Sequence, residues 1–199
     1  MARSKAIYDK SVIIDKAFEI VQGQGVESLT ARNVAKALGV SPMTLYNYVK
    51  NIREIEKEII IKGFNILYRN VFEDLVANKE KMKKSGIETI CLLMAENMID
   101  FAEKYEGIYL MMNYLAPAEI RKDPEVQPFY NFFKKLTYRI KMDGEEKKRL
   151  KESFYLFELI IKGLIDDRIS SGGKIERDEL FAHIEAAIEK LFGKENLND

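Results

Sequence analysis

The chain has 199 residues, of which 47% are hydrophobic and 32% charged, and its formal net charge is zero at pH 7. Such a chain can bury one large core or two modest ones, and its low content of proline and glycine favours an all-α protein. No apolar run approaches the ~20 residues of a membrane span, and no signal-peptide core is apparent. A single cysteine, Cys91, excludes an internal disulfide and predicts a cytoplasmic protein.

The charge is unevenly distributed along the chain. Residues 1–57 hold nine Lys and Arg against six Asp and Glu, whereas the remainder holds 23 against 26. A basic N-terminal segment followed by an acidic remainder is typical of a nucleic-acid-binding protein, because the acidic part limits nonspecific binding to nucleic acid. The charge asymmetry is modest, so it is consistent with nucleic-acid binding but is not by itself evidence for it.

The side-chain inventory argues against an enzyme. His183 is the only histidine, and we interpret it as a surface or dimer-rim residue. Cys91 lies on an inward helical stripe and is interpreted as a small buried hydrophobe. One histidine and one cysteine cannot build a zinc site or a Ser-His-Asp arrangement, and no phosphate-binding glycine loop is present. We therefore expect no cofactor, no metal site and no catalytic residue.

The first predicted helix runs from about Tyr8 to Gln22, after an arm over residues 1–7 that is predicted to be a solvated tail. Gly23 and Gly25 end this helix. Its buried stripe is Ile13, Ile14, Ala17, Phe18 and Val21.

The segment Thr30–Lys50, TARNVAKALGVSPMTLYNYVK, predicts two short helices joined by a tight turn. Thr30 is expected to cap the first helix, and Gly39 ends it, since glycine takes positive φ without a clash. Ser41 and Pro42 then begin a second helix as its cap and first residue. Inward-facing side chains are predicted at Val34, Ala35, Leu38, Val40, Leu45 and Val49.

The outward face of the second helix is short, polar and aromatic. It comprises Pro42, Met43, Thr44, Tyr46, Asn47 and Tyr48, with Lys50 just beyond. A helix-turn-helix uses such a face to contact base edges and phosphates. An ordinary antiparallel helix pair with exposed tyrosines is the alternative, and spacing alone favours DNA binding only modestly.

The pattern LTxRxVAxxLGVSxxTLYxYVKN resembles the DNA-binding segment of the tetracycline-repressor (TetR) family. It is carried by Leu29, Thr30, Arg32, Val34, Ala35, Leu38, Gly39, Val40, Ser41, Thr44, Leu45, Tyr46, Tyr48, Val49, Lys50 and Asn51. The match spans roughly the first quarter of the chain, and the rest resembles the family only in length, helical content and position. The chain departs from the pattern at Ile52, where the family often has a lysine for phosphate contact, which puts that contact in doubt or moves it to Arg53 or Lys50.

The resemblance implies double-stranded DNA as a partner. We expect Tyr48, Lys50 and Thr30 to anchor phosphates, and Met43, Thr44 and Asn47 are the candidates for reading bases. Thr44 could also contact phosphate, and Tyr46 could do either. The full predicted DNA-binding set is Thr30, Arg32, Ser41, Pro42, Met43, Thr44, Tyr46, Asn47, Tyr48, Lys50 and Arg53.

A long fourth helix is predicted from Ile52 to about Val76, connecting a DNA-binding domain, 1–51, to an effector and dimerisation domain, 52–199. Gly63 costs about 1 kcal/mol in a helix interior relative to alanine, so close packing is expected there. A polar, basic linker follows at 77–86.

Five later helices are predicted after the linker. They span Ile87–Lys104, Gly107–Leu115, about 124–141 after Asp123-Pro124, about 143–170 from Asp143, and about 179–192 after a cap at Asp178.

Methionine and aromatic side chains are enriched in these later helices. Methionine adapts to variable apolar ligands, and the family resemblance implies an enclosed effector site, although core packing is the better interpretation for any single residue. The predicted pocket for an apolar or amphipathic molecule comprises Met94, Asn97, Met98, Phe101, Tyr109, Met112, Asn113, Phe129, Phe133, Phe154, Phe157 and Glu158.

The segment 154–165, FYLFELIIKGLI, is apolar almost all round and must be covered on more than one side. Pairing of the last two helices with those of a second copy would cover it, an arrangement that the family resemblance also implies. A monomer with this helix wholly central is the alternative. The predicted dimer contacts are Phe154, Tyr155, Ile161, Leu164, Ile165, Phe181, Ile184 and Ile188.

The sequence thus predicts an all-α protein with an N-terminal three-helix helix-turn-helix domain and a C-terminal helical domain for ligand binding and dimerisation. The expected function is a dimeric, sequence-specific transcriptional regulator, most simply a repressor released from a palindromic operator by a small ligand. The alternative is a helical dimer that binds a small molecule or a protein and carries a vestigial DNA head.

Overall fold

A computed structural model describes residues 9–70, 86–132 and 143–193. Within these ranges the chain is helical and contains no strand, which confirms the predicted all-α class. Contacts divide it into two compact units, Met1–Asn65 with Lys104–Asp123, and Ile66–Glu103 with Pro124–Asp199. The predicted arm at 1–7, the linker at 77–85 and Phe133 lie outside the described residues.

The first unit begins with α1, Lys10–Gln24, followed by a 3-10 turn at Val26–Ser28. The side chain of Asp9 caps α1 by accepting a hydrogen bond from the Val12 amide. Gly25, at φ 81°, ends the helix two residues later than predicted, and Gly23 lies inside it. Helix α2 is Ala31–Leu38, α3 is Pro42–Leu45 and α4 is Ile52–Tyr68.

Helix α4 has an apolar side that is buried over its whole described length. Its core side chains are Ile55, Ile59, Ile60, Ile61, Phe64 and Leu67. A Cβ built on Gly63 would lie 2.6 Å from Met112 Sδ and 2.8 Å from Ile108 Cγ2, so the predicted close packing at this glycine is confirmed. The predicted end of α4 near Val76 lies outside the described residues.

Residues Lys104–Asp123 complete this first unit, which explains why it extends beyond the first 51 residues. Helix α6, Glu106–Leu110, continues as a π-helical turn at Met111–Leu115, and a 3-10 helix that was not predicted follows at Ala118–Lys122. Gly107 lies against α1, where an added Cβ would be 2.9 Å from the Val21 carbonyl oxygen. The domain division at 51/52 stays a prediction.

The second unit contains α5, Ile87–Lys104, with the predicted bounds. Helix α7 is Gln127–Tyr130, so the predicted helix start at Asp123-Pro124 is wrong, and the predicted continuation over 133–141 lies outside the described residues. Residues 124–126 form a turn, and Val126, whose side chain has no polar atom, stands at the cap position. Proline can open a turn as readily as a helix, which is why the local signal misled.

Helix α8, Gly144–Ser170, is the longest that the structure describes, and its bounds confirm the prediction. Asp143 and Glu146 form a reciprocal capping box, in which each side chain accepts a hydrogen bond from the other residue's amide. Gly172 and Gly173, both at positive φ, follow its last turn. Helix α9 is Arg177–Phe192, and Glu176, rather than the predicted Asp178, occupies its cap position without a side-chain cap bond.

The second unit is held by apolar packing between α8 and α9. Their buried side chains include Phe154, Phe157, Leu180, Ile184 and Phe192. The Phe192 ring lies 5.1 Å from that of Phe154 and 5.7 Å from that of Phe157, centroid to centroid. Ion pairs from Arg168 and Arg177 to α5 carboxylates add to this packing at the surface.

Candidate nucleic-acid interface

The turn between α2 and α3 has the predicted helix-turn-helix geometry. Thr30 caps α2 by accepting a hydrogen bond from the Asn33 amide at 3.1 Å. Gly39 ends α2 in the left-handed conformation, at φ 68°. Ser41 caps α3 by accepting from the Thr44 amide at 3.1 Å, and Pro42 is the first helical residue. The two caps, the glycine and the proline therefore each adopt the local structure that the sequence predicts for them.

Buried apolar side chains fix the two helices against each other. Val34, Ala35, Leu45 and Val49 are buried, as predicted. Leu38 and Val40 are only half-buried. Because Ala35 is fully buried and small, α2 and α3 can approach closely. Helix α3 is a single turn, and residues 46–48 continue it as a hydrogen-bonded turn, so the recognition helix is shorter than its sequence suggested.

The outward face of α3 and this turn is exposed. Met43 is 79% exposed, and Pro42, Tyr46, Asn47 and Tyr48 are exposed as well. Thr44 is half-buried, and its hydroxyl lies 2.9 Å from the Ser41 hydroxyl. Helix α3 and the turn after it therefore expose Met43, Asn47 and Tyr48 of the predicted DNA-binding set, while all contacts with DNA stay predictions.

The helix-turn-helix segment and the first turn of α4 carry four cationic side chains, Arg32, Lys36, Lys50 and Arg53. All four are exposed, and none forms an ion pair with a carboxylate among the described residues. Their charge is available to phosphates. Ile52 is half-buried as the first residue of α4, so no cation stands at that position.

The start of α4 is tied to α1 by a small ionic network. Lys10 Nζ lies 2.8 Å from a Glu54 carboxylate oxygen and 2.5 Å from one of Glu58. Glu54 also accepts a hydrogen bond from the Lys50 backbone amide at 2.6 Å. The Lys10 ammonium, followed by that amide, lowers the pKa of Glu54, and the two carboxylates raise the pKa of Lys10. This network orients the backbone that carries Lys50.

The predicted ligand residues divide between two places. A cavity of about 40 Å³ in the second unit is lined by Met94, Met98, Phe129, Tyr130, Phe157, Glu158 and Ile161. Five of these belong to the predicted ligand set and Tyr130 and Ile161 do not, while ligand binding by the whole set stays a prediction. Tyr130 directly follows Phe129, which is in the predicted ligand set, so its aromatic ring could have been included from the sequence. Ile161 was predicted as a dimer contact instead.

The other residues of the predicted ligand set that the structure describes are not among the lining residues of this cavity. Tyr109, Met112 and Asn113 belong to the first unit, whereas Phe101 and Phe154 are buried elsewhere in the second unit. Asn97 and Asn113 each donate a side-chain hydrogen bond to a backbone carbonyl four residues earlier, at 2.7 Å and 3.0 Å. Helical spacing identified inward faces without showing which cavity each face meets.

An exposed apolar surface runs along α8 and α9. Tyr155 is 61% exposed and Leu156 and Leu159 are each 47% exposed. An open groove of about 460 Å³ lies beside them, lined by Ile160, Leu164, His183, Ala186, Ala187, Lys190 and Leu191. We call these ten residues, with Gly163, the α8–α9 apolar face.

This face includes only part of the set of predicted dimer contacts, which stay predictions. Five of the eight predicted residues are buried within one chain. They are Phe154, Ile161, Ile165, Ile184 and Ile188. Tyr155 and Leu164 belong to the exposed face, and Phe181 is half-buried. The apolar run in α8 has two apolar sides, and only tertiary packing decides which of them remains outside.

Other kinds of site find little support in the part of the chain that the structure describes. Within residues 9–70, 86–132 and 143–193, no group of three or more His, Cys, Asp or Glu could hold a metal ion. Burial raises the pKa of the Cys91 thiol to about 12, so it is not a thiolate at neutral pH. None of the described helices is long and apolar enough to cross a membrane.

Comparison with known proteins supports a DNA-binding function for the N-terminal helix-turn-helix segment. Residues 13–59 match the family described as "Bacterial regulatory proteins, tetR family". The HTH-type transcriptional regulator YobS of Bacillus subtilis (strain 168), which is uncharacterized, is 25% identical over 100 residues, 50% of this chain and 49% of YobS. The matched part therefore spans about half the length of that relative.

A solved structure extends the similarity of fold over most of the chain. The crystal structure of SCO4313, described as a regulatory protein, superposes with a TM-score of 0.61 and covers 92% of this chain and 94% of that one. Its sequence identity is 16%, so it shows the fold alone. Together with the helix-turn-helix geometry, the family match shows that the N-terminal segment is similar to the DNA-binding part of bacterial regulatory proteins of the tetR family.

Proposed function

We propose that the protein is a cytoplasmic, homodimeric repressor that binds a palindromic DNA operator through α3 and is released by a small ligand. The observation that carries the proposal is the exposed aromatic and polar face of α3, in a segment whose four exposed cations form no ion pair among the described residues. A solvated surface gains nothing from an exposed methionine beside two exposed tyrosines. A surface that meets base edges gains apolar contact with thymine methyl groups.

The proposed contacts follow from the exposure of each side chain. Met43, Thr44 and Asn47 would enter the major groove, where Asn can pair with adenine and Met can contact a thymine methyl. Tyr48 and Lys50 would contact phosphates, together with the amides at the α2 N-terminus that Thr30 caps. Arg53 would supply the phosphate contact that Ile52 cannot make.

A second copy is proposed to cover the α8–α9 apolar face. Gly163 supports this, because a Cβ built there would have no atom within 4 Å in its own chain. A glycine inside a long helix costs about 1 kcal/mol relative to alanine, and no close contact in the described part of the chain requires it. Close approach of a second helix at Gly163 would account for it. A dimer also presents two recognition helices about 34–36 Å apart, the spacing of successive major grooves.

Ligand release requires that a ligand bind the DNA-bound and free states with different affinities. Helix α4 begins beside the helix-turn-helix and is clamped at Gly63 against Ile108 and Met112. A displacement of α4 would therefore reach Lys50 through Glu54, whose carboxylate holds the Lys50 amide. We propose that the ligand shifts this helix and changes the spacing of the two heads.

Selection of bound sequences from a random duplex library, at a stated salt concentration, tests the DNA-binding part of the proposal. We expect a palindromic consensus with equivalent half-sites. Tyr48→Phe should weaken binding without lowering the Tm, and Lys50→Ala should reduce the salt slope by about one unit. Tyr114→Phe, at an exposed tyrosine outside the helix-turn-helix, is the matched control. No enriched sequence from an intact dimer would refute the repressor and favour a vestigial head.

Sedimentation at micromolar concentration tests the dimer. Leu159→Glu places a carboxylate in the centre of the α8–α9 apolar face and should yield monomers, because burying an unpaired charge is costly. Lys148→Glu introduces the same group on the same helix about three turns away and should remain dimeric. A wild-type monomer, or a dimer that tolerates Leu159→Glu, would refute the proposed interface.

A further inference from the structure

The cavity in the second unit combines one carboxylate with apolar and aromatic walls. Among the described residues that line it, Glu158 is the one charged side chain, and it is exposed to solvent. Phe157 and Ile161, on the same helix α8, are fully buried and close the inner side. A ligand that enters this cavity therefore meets negative charge at the mouth and hydrocarbon within.

Two neighbouring aromatic rings form a corner of this cavity. The rings of Phe129 and Tyr130 are 5.4 Å apart, centroid to centroid, and their planes stand at 86°. Perpendicular rings present their faces in two directions, and each face carries negative charge density that attracts a cation. A carboxylate beside such faces adds attraction for a cation and repels an anion.

We propose that this cavity binds an apolar monovalent cation, such as a quaternary ammonium compound, as the effector of the protein. Glu158 supplies the countercharge, and the rings of Phe129 and Tyr130 contact the cationic group. Met94, Met98 and Ile161 contact the apolar body of the ligand. This inference rests on the proposed function, since it names the ligand class for the ligand-released regulator.

The present cavity volume makes binding conditional on a side-chain rearrangement. About 40 Å³ holds roughly one water molecule, far less than an organic cation requires. Met94 and Met98 border the cavity and have unbranched side chains that change rotamer readily, so they can yield to a ligand. Because the cavity as it stands is too small for the ligand, the cation binds only a widened state and shifts the population toward it.

Calorimetric titration with an isosteric pair of probes tests the proposal on the full chain. Benzyltrimethylammonium carries the charge, and neopentylbenzene replaces its nitrogen by carbon at nearly the same shape. We expect the cation to bind more tightly, and Glu158→Gln to weaken its binding by about tenfold while leaving neopentylbenzene unaffected. Glu152→Gln, at an exposed glutamate of α8 outside the cavity, is the matched control and should change neither affinity.

Tyr130→Leu provides a second variant that keeps apolar bulk and removes one ring face. It should weaken binding of the cation but not of neopentylbenzene. Equal affinity for the two probes, tighter binding of the anion 3-phenylpropionate, or no binding of any probe would overturn the proposal. Release of operator DNA is measured separately. Glu158-dependent cation binding without DNA release would refute ligand release alone, whereas DNA binding with no cation binding would refute the cation site alone.

Discussion

Replacement of Gly63 by alanine should destabilise the protein, although alanine favours a helix. Gly63 lies inside α4 and is buried. The added methyl carbon would stand 2.6 Å from Met112 Sδ, 2.8 Å from Ile108 Cγ2 and 3.3 Å from Met112 Cγ. All three distances are shorter than ordinary van der Waals contact, so a neighbour must move.

The two neighbours differ in how easily they can move. The Met112 thioether lies near the end of a flexible chain and can change rotamer at small cost. The Ile108 side chain is β-branched and fully buried, so its methyl group can move only with the surrounding backbone. Overpacking of this kind typically costs about 1–3 kcal/mol, whereas helix propensity returns about 1 kcal/mol. We expect a net loss of roughly 0–2 kcal/mol.

Gly23→Ala is the matched control for this prediction. Gly23 is also helical, near the end of α1, but is exposed, and an added Cβ would have no neighbour within 4 Å. Here only the gain in helix propensity applies, so the variant should be more stable than the wild type by about 0.5–1 kcal/mol. The two substitutions are chemically identical and differ only in their surroundings.

Urea unfolding at one fixed protein concentration measures both variants, because association shifts apparent stability. The midpoint should fall for Gly63→Ala and rise for Gly23→Ala, with unchanged m-values. A Gly63→Ala protein as stable as the Gly23→Ala protein would show that α4 and α6 are not in the close contact described here. In that case the proposed clamp on α4 would lose its support.

Two further predictions concern titratable groups. The pKa of Glu54 is lowered in the folded state by Lys10 and the Lys50 amide, so its stabilising contribution is present above pH 4.5, the ordinary glutamate value, and is lost as the pH falls below it. The unfolding free energy of wild type should therefore decline more steeply below that pH than that of Glu54→Gln, and equal slopes in acid titrations would contradict the network. Cys91, with its raised pKa of about 12, should resist a disulfide reagent at pH 8 until the protein is unfolded, whereas rapid labelling of the native protein would contradict its burial.

The candidate interface was largely predictable because its signals are local. Capping by Thr30 and Ser41 and the left-handed turn at Gly39 each depend on a few neighbouring residues, and the structure confirms all three. The bounds of α5 and α8 were predictable for the same reason, since helical periodicity and the Asp143 capping box act within a few turns. The signal at Asp123-Pro124 was equally local but ambiguous, because the same dipeptide can open a turn.

Tertiary structure decided which apolar side chains are buried and which of them line the same cavity, because no local sequence pattern carries this information. The apolar run of α8 could turn either of two sides inward, and the chain buried Phe154, Ile161 and Ile165 while leaving Tyr155, Leu156 and Leu159 outside. Which inward-facing side chains share a cavity was likewise settled by packing across the chain, as for Tyr130 and Ile161. By itself the sequence determined the helices, their caps and the DNA-binding head, because hydrogen bonds and backbone preferences act between near neighbours. Burial depends on which surfaces pack against each other. This is determined only when segments that are distant in the sequence come together in one core.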